Sequence, residues 1–120
     1  METVIQILKI VFGLFFAYAG IMHFVKPQFF KHFIPDFLPK LTINYVFGLL
    51  EFLLGLGVFF DTTLKIAAIG IFILLLIFLP IHIWDATKIR PAIGSKKIAF
   101  IRIPLQFALM YCTYIIYINS

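Results

Sequence analysis

The sequence predicts an all-α fold, an integral membrane four-helix bundle with an interfacial or re-entrant segment between its first two helices. Three observations predict it. Of the 120 residues, 63% are hydrophobic and 12% charged, and the mean hydropathy is +1.11; a soluble domain carries about 25% charged residues and about 45–50% apolar ones. The apolar residues gather in four segments, approximately 3–25, 43–60, 64–84 and 98–118, each near the roughly 17–25 residues that a helix needs to cross hydrocarbon. None of them alternates in polarity as a barrel strand does, and in lipid each backbone polar group has to bond within its own segment. Four spans use nearly the whole chain, so residues 1–120 read as one transmembrane domain.

In the first segment, Ala17-Tyr18-Ala19 resembles a signal-peptide cleavage site. Glu2, the lysine-free start and the length of the run argue instead for a retained helix. The next stretch, VKPQFFKHFIPDFLPKL, is broken by Pro27, Pro35 and Pro39. Between the first two prolines there is room for one or two helical turns, with Phe29, Phe30 and Phe33 beside Lys31 and His32. Rings next to cations suit a segment lying in the membrane interface, rings in lipid and charges in water; a re-entrant plug over the bundle is the alternative. The third helix ends in FLPIHIWD, where Pro80 removes the usual donor to the Leu76 carbonyl. From Asp85 to Lys97, with Pro91 and Gly94, the chain reads as an ordinary exposed connection. The fourth helix holds the single cysteine, Cys112, which excludes an internal disulfide and a C-x-x-C shuttle.

Charge orients the spans. The loops after the first and third helices, with their flanks, carry Lys26, Lys31, Lys40, Lys88, Arg90, Lys96, Lys97 and Arg102, eight of the ten basic residues. The other side has Lys9 and Lys65. The positive-inside rule places the long loops in the cytoplasm and both termini outside, in the plasma (inner) membrane. The net charge of +5 then suits an anionic leaflet. The bilayer is the expected partner, and nucleic acid is not, since no soluble basic domain exists to hold it.

Glu51 is a lone acid in the apolar run GLLEFLLGLG. Gly48, Glu51 and Gly55 share a helix face, and small residues mark the face that packs inside a bundle. An inward acid needs a partner, a proton or water. On the first helix Gly13, Phe16, Gly20 and His23 form one stripe; on the fourth Arg102, Gln106, Met110, Thr113 and Tyr117 share a face. At about 1.5 Å rise per residue, Glu51 lies about 10–13 Å from the start of its helix, and His23, His82 and Arg102 lie near the ends of theirs in the same half of the bundle. Glu51, His23, His82, Arg102 and Gln106 are therefore the candidate ligand-binding residues, lining a polar pocket open to the cytoplasmic side. Glu51 and His23 are the candidate proton relay; no catalytic residue can be assigned beyond them. Plainer roles stay open, with Glu51 a structural acid bonded to a carbonyl or to Gln106, the histidines at the interface and Arg102 snorkelling.

Other chemistries find less footing. Of His23, His82, Glu51, His32 and Asp85 only His82 and Asp85 stand at the local spacing of helical metal ligands, and no metal is expected. Ser95 and Ser120 lie in exposed segments, no Gly-rich phosphate loop is present, and histidines at one depth give no support for haem.

The stretches AGIMHFVKPQFF, FIPDFLP, GLLEFLLGLG, FLPIHIWD and RIPLQ, in this order, resemble the DoxX-like family of small four-helix integral membrane proteins. They cover the chain from the first helix to the start of the fourth. The resemblance implies a redox-associated membrane subunit linked to a quinone, working with an oxidoreductase partner subunit or as a homo-oligomer. At most this makes the chain part of a membrane oxidoreductase; no cofactor is evident from the residues. A carrier or binding bundle for a small lipophilic molecule would use the same pocket. A structural assembly subunit would use the polar residues only to fix helix register.

Overall fold

The computed structural model describes residues 2–89, 93 and 95–120, with Phe29 by its backbone alone. Among these residues the chain is all-helical. Helix α1 covers Glu2–Val25, the short α2 Pro27–Phe30 followed by a 3-10 turn Lys31–Phe33, α3 Lys40–Gly57, α4 Leu64–Ala86 and α5 Lys96–Ile118. The four long helices are each long and apolar enough to cross a membrane. Their outer faces carry exposed Leu, Ile, Val and Phe side chains along much of their length, among them Leu14, Phe15, Leu53, Ile66 and Phe107.

The second long helix begins three residues before the apolar run suggests. Pro39 stands at its N-cap, Lys40 and Thr42 fall inside its first turn, and Gly57 ends it. Pro is well suited to a helix start, where a missing N–H costs nothing. This start puts Glu51 about 16 Å along the helix, deeper than the hydropathy boundary implied. At α5, Ser95 caps the N-terminus by accepting from the Ile98 N–H at 3.2 Å.

Neighbouring long helices run antiparallel. Helix α1 packs chiefly along α3 and α4 along α5, with smaller α3–α4 and α1–α5 contacts completing the bundle. The two main interfaces are made differently. In the first, a Cβ placed on Gly20 would lie 2.5 Å from the Gly48 carbonyl oxygen and from the Phe52 nitrogen, and one on Gly55 2.5 Å from the Ala17 nitrogen. Backbone touches backbone there because no side chain intervenes, the packing that small residues permit. The second is filled by side chains: Leu64, Ala67, Ala68, Ile71 and Leu75 of α4 and Ile116 of α5 form a core with Phe12 and Phe16 of α1 and Val58. Phe12 and Phe16 stack at 6.2 Å between ring centres.

The segment after α1 covers the end of the bundle that carries the two long loops. Phe30 stacks on His23, with ring centres 3.8 Å apart and planes 10° from parallel; Phe33 meets His82 edge-on at 5.9 Å. Ile34 is buried, and Lys88 of the α4 end donates to the His32 carbonyl at 2.8 Å. Phe30 thus lies on the buried His23 and Phe33 against the half-buried His82, with both rings half-buried themselves. Phe37, further on, is 84% exposed and keeps the outward character.

Candidate functional site

The first polar group forms where α1 meets α3. Gly48 makes room for it, because a Cβ there would stand 2.5 Å from the His23 Cβ. The imidazole therefore lies across α3 between Asn44 and Glu51, which are one turn above and one turn below Gly48. Asn44 donates from Nδ2 to the His23 carbonyl at 2.7 Å, which fixes its amide, and its Oδ1 faces His23 Nδ1 at 2.7 Å. An oxygen that can only accept requires Nδ1 to carry a proton. His23 Nε2 then faces Glu51 Oε1 at 3.5 Å, and one proton between these two atoms makes either a neutral hydrogen-bonded pair or an imidazolium–carboxylate pair. His23, Asn44 and Glu51 are 7%, 1% and 5% exposed, so this pair is shielded from solvent.

The second group lies where α4 meets α5. Gln106, fully buried, donates from Nε2 to the Leu75 carbonyl at 2.6 Å. That carbonyl is one residue before Leu76, whose own helical donor Pro80 removes. Gln106 Oε1 has no hydrogen-bond partner among the described residues, and neither has the buried Arg102 Nη1. Arg102 stands one turn before Gln106 on α5, and His82 of α4 lies within electrostatic reach of both Arg102 and Asp85. Asp85, buried, is committed to Lys88 at 3.2 Å and accepts from the Ile93 N–H at 3.3 Å.

The five predicted residues thus fall into two groups in one half of the bundle. His23 and Glu51 come together on α1 and α3; His82, Arg102 and Gln106 gather on α4 and α5; the segment bearing Phe30 and Phe33 lies against both. Glu51 pairs with His23 and not with Gln106, because Gln106 is turned to the Leu75 carbonyl. Thr113, on the same face of α5, spends its hydroxyl on the Leu109 carbonyl at 2.9 Å. The expectation of an ordinary connection after α4 is corrected at its start, where Asp85 is an anchor; Pro91 and Gly94 lie outside the described residues.

Asn44 escaped the sequence reading, and Asp85 entered it only as a rejected metal ligand and as the start of an exposed connection. Asn44 falls at the edge of the apolar run, yet lies seven residues before Glu51 on the same face, which is the signal that could have found it. No group of three His, Cys, Asp or Glu side chains among the described residues could hold a metal ion. Two surface clefts lie elsewhere, an apolar groove of about 190 Å³ between Ile69, Phe72, Tyr114 and Tyr117, and one of about 300 Å³ beside Glu2, Gln6, Lys9 and Asn119. Of the candidate residues, His23, Glu51 and Gln106 are buried, and His82 and Arg102 are half-buried.

A family model described as a domain of unknown function, DUF8561, matches residues 12–116, and the chain belongs to that family. No curated protein and no solved structure matches the chain.

Proposed function

We propose that this chain is a multi-pass protein of the plasma (inner) membrane, with its long loops in the cytoplasm, and that it binds the oxygen-bearing head of a small lipophilic molecule in the cytoplasmic half of the bundle. One observation carries the reading. Gln106 Oε1 and Arg102 Nη1 are buried without partners among the described residues, and leaving such groups unpaired costs about 1–3 kcal/mol each, more for a charged one. A ligand head that supplies the missing partners recovers that cost. Arg102, Gln106 and His82 hold the head, and the segment through Phe30 and Phe33 acts as its cover.

The DoxX-like resemblance supports a more specific version, in which the head is a quinone and the protein a redox-associated subunit whose electrons come from an oxidoreductase partner. The His23–Glu51 pair favours this version. Reducing a quinone takes up two protons, and a buried pair that shares one, set in a fixed tautomer by Asn44, can pass it on. The His23–Asn44 hydrogen bonds and the 3.5 Å contact of His23 with Glu51 equally favour a second reading, in which this group only fastens α1 to α3 in an assembly subunit.

Native mass spectrometry with lipid extraction, on protein purified gently from its membrane, separates these readings. A stoichiometric small molecule is expected on the wild type, and a quinone there would establish the redox version. Glu51→Gln is expected to keep the occupant and lose proton-coupled turnover if His23 and Glu51 form the relay. Bulk phospholipid alone would leave the fastening reading standing.

A further inference from the structure

The open atoms of Arg102 and Gln106 state what the bound head must offer. The donation from Gln106 Nε2 to the Leu75 carbonyl fixes the amide, so the unpartnered atom is an acceptor, Oε1, in a side chain with no exposed surface. One turn away on the same face, Arg102 Nη1 is an unpartnered donor. Side chains four residues apart on a helix are neighbours, within reach of one small group. That group has to accept from Nη1 and donate to Oε1. A carbonyl, an ether or an ionised carboxylate can only accept. A hydroxyl does both through a single oxygen.

We infer that the occupant is a hydroxyl-bearing lipophile, an alcohol or a phenol (the reduced, hydroquinone form of a quinone included), and that Gln106 selects the hydroxyl against its carbonyl or ether counterpart. This rests on the ligand-binding reading above and names the chemical class of ligand for that site. The hydroxyl bridges Nη1 and Oε1, and the hydrocarbon part follows the apolar faces of α4 and α5. His82 and Phe33, in edge contact at 5.9 Å, stand on the loop side of the head. For a quinone-linked protein the consequence is directional. The reduced form satisfies both atoms and the oxidised form only Arg102, so the site holds quinol more tightly than quinone.

The chain has one tryptophan, Trp84, two residues beyond His82, and its fluorescence reports on this end of the bundle. The test is to titrate the protein in lipid nanodiscs with 4-nonylphenol and with the methyl ether of 4-nonylphenol, following Trp84. The phenol is expected to bind saturably and about tenfold more tightly than the ether, the worth of one good hydrogen bond to a buried acceptor. Gln106→Met is expected to bring the phenol to the ether's level and leave the ether unchanged. Should that variant fail to fold, the comparison of the two probes on the wild type still decides. Equal affinity for phenol and ether overturns the selection by Gln106 while leaving the binding reading intact. Saturable binding of neither, with a trapped water bridging the two atoms, overturns both.

Discussion

The α1–α3 and α4–α5 interfaces both bury polar side chains near the same end of the molecule, but only one of them satisfies what it buries. Between α1 and α3, glycines bring the backbones together, and His23, Asn44 and Glu51 find partners in one another. Between α4 and α5, side chains fill the space, yet among the described residues Gln106 keeps an open acceptor and Arg102 an open donor. A satisfied network fixes a helix pair in one register. An unsatisfied one carries a standing cost that a bound group can remove. The comparison teaches that burial alone does not mark a functional residue; the state of its hydrogen bonding says more.

Substitutions can break this contrast from either side. The largest effect is expected at His23. His23→Ala removes the partner of Glu51, the acceptor-facing donor of Asn44 and the ring under Phe30, at a cost of about 3 kcal/mol, the lower range for breaking a buried pair. Thermal unfolding in nanodiscs should register it as the most destabilised of the variants named here. Gly20→Ala should follow, at about 2 kcal/mol from overpacking, because the new Cβ meets backbone atoms that cannot turn aside. Gly57→Ala should cost less than Gly20→Ala, since its nearest neighbour, the Ala67 Cβ at 3.2 Å, has to give by only a few tenths of an ångström.

On the other side of the comparison, Gln106→Leu should cost less than about 1 kcal/mol, since it trades one hydrogen bond for the removal of a buried open acceptor. Its unfolding temperature should stay close to wild type while retention of the co-purified small molecule falls. A loss as large as that of His23→Ala would mean that Gln106 is a fastener too, and the contrast would fail. The smallest effect belongs to Asp36, in the segment between α2 and α3. Its hydrogen bond and ion pair with Lys40, Nζ to Oδ1 at 2.6 Å, hold its carboxyl below the usual carboxylate pKa of 3.8. The folded value being the lower one, the pair's contribution is fully present above the unfolded pKa and disappears as pH falls through the folded one. For so exposed a pair the effect on stability is slight, and a carboxyl NMR titration of Asp36 in wild type and Lys40→Met should show the depressed value return to normal.

Much of this fold can be read from residue order. Four apolar runs become four helices, and the spacing of Gly13, Phe16, Gly20 and His23 identifies a stripe that the structure buries in full. Gly48, Glu51 and Gly55 do the same on α3. The start of α3 is hidden in the sequence because Lys40 and Thr42 end an apolar run without ending a helix. Phe30 and Phe33 could not be placed from sequence, since a ring between prolines reads alike whether it meets lipid or covers a histidine. The partition of the five polar candidates into two groups was likewise hidden. Spacing shows which residues of one helix share a face, but which face meets which neighbour depends on helix rotation and tertiary packing, and here on the glycine contacts that bring α1 onto α3.

The most direct measurement is a structure of the protein determined in its native lipid, at a resolution that shows the surroundings of Arg102 and Gln106. A head group is expected within hydrogen-bond distance of both Nη1 and Oε1, continuous with a hydrocarbon tail that leaves between α4 and α5. A lone water joining the two atoms, with well-packed side chains around it, would contradict the account and make the α4–α5 group a structural partner of the one between α1 and α3.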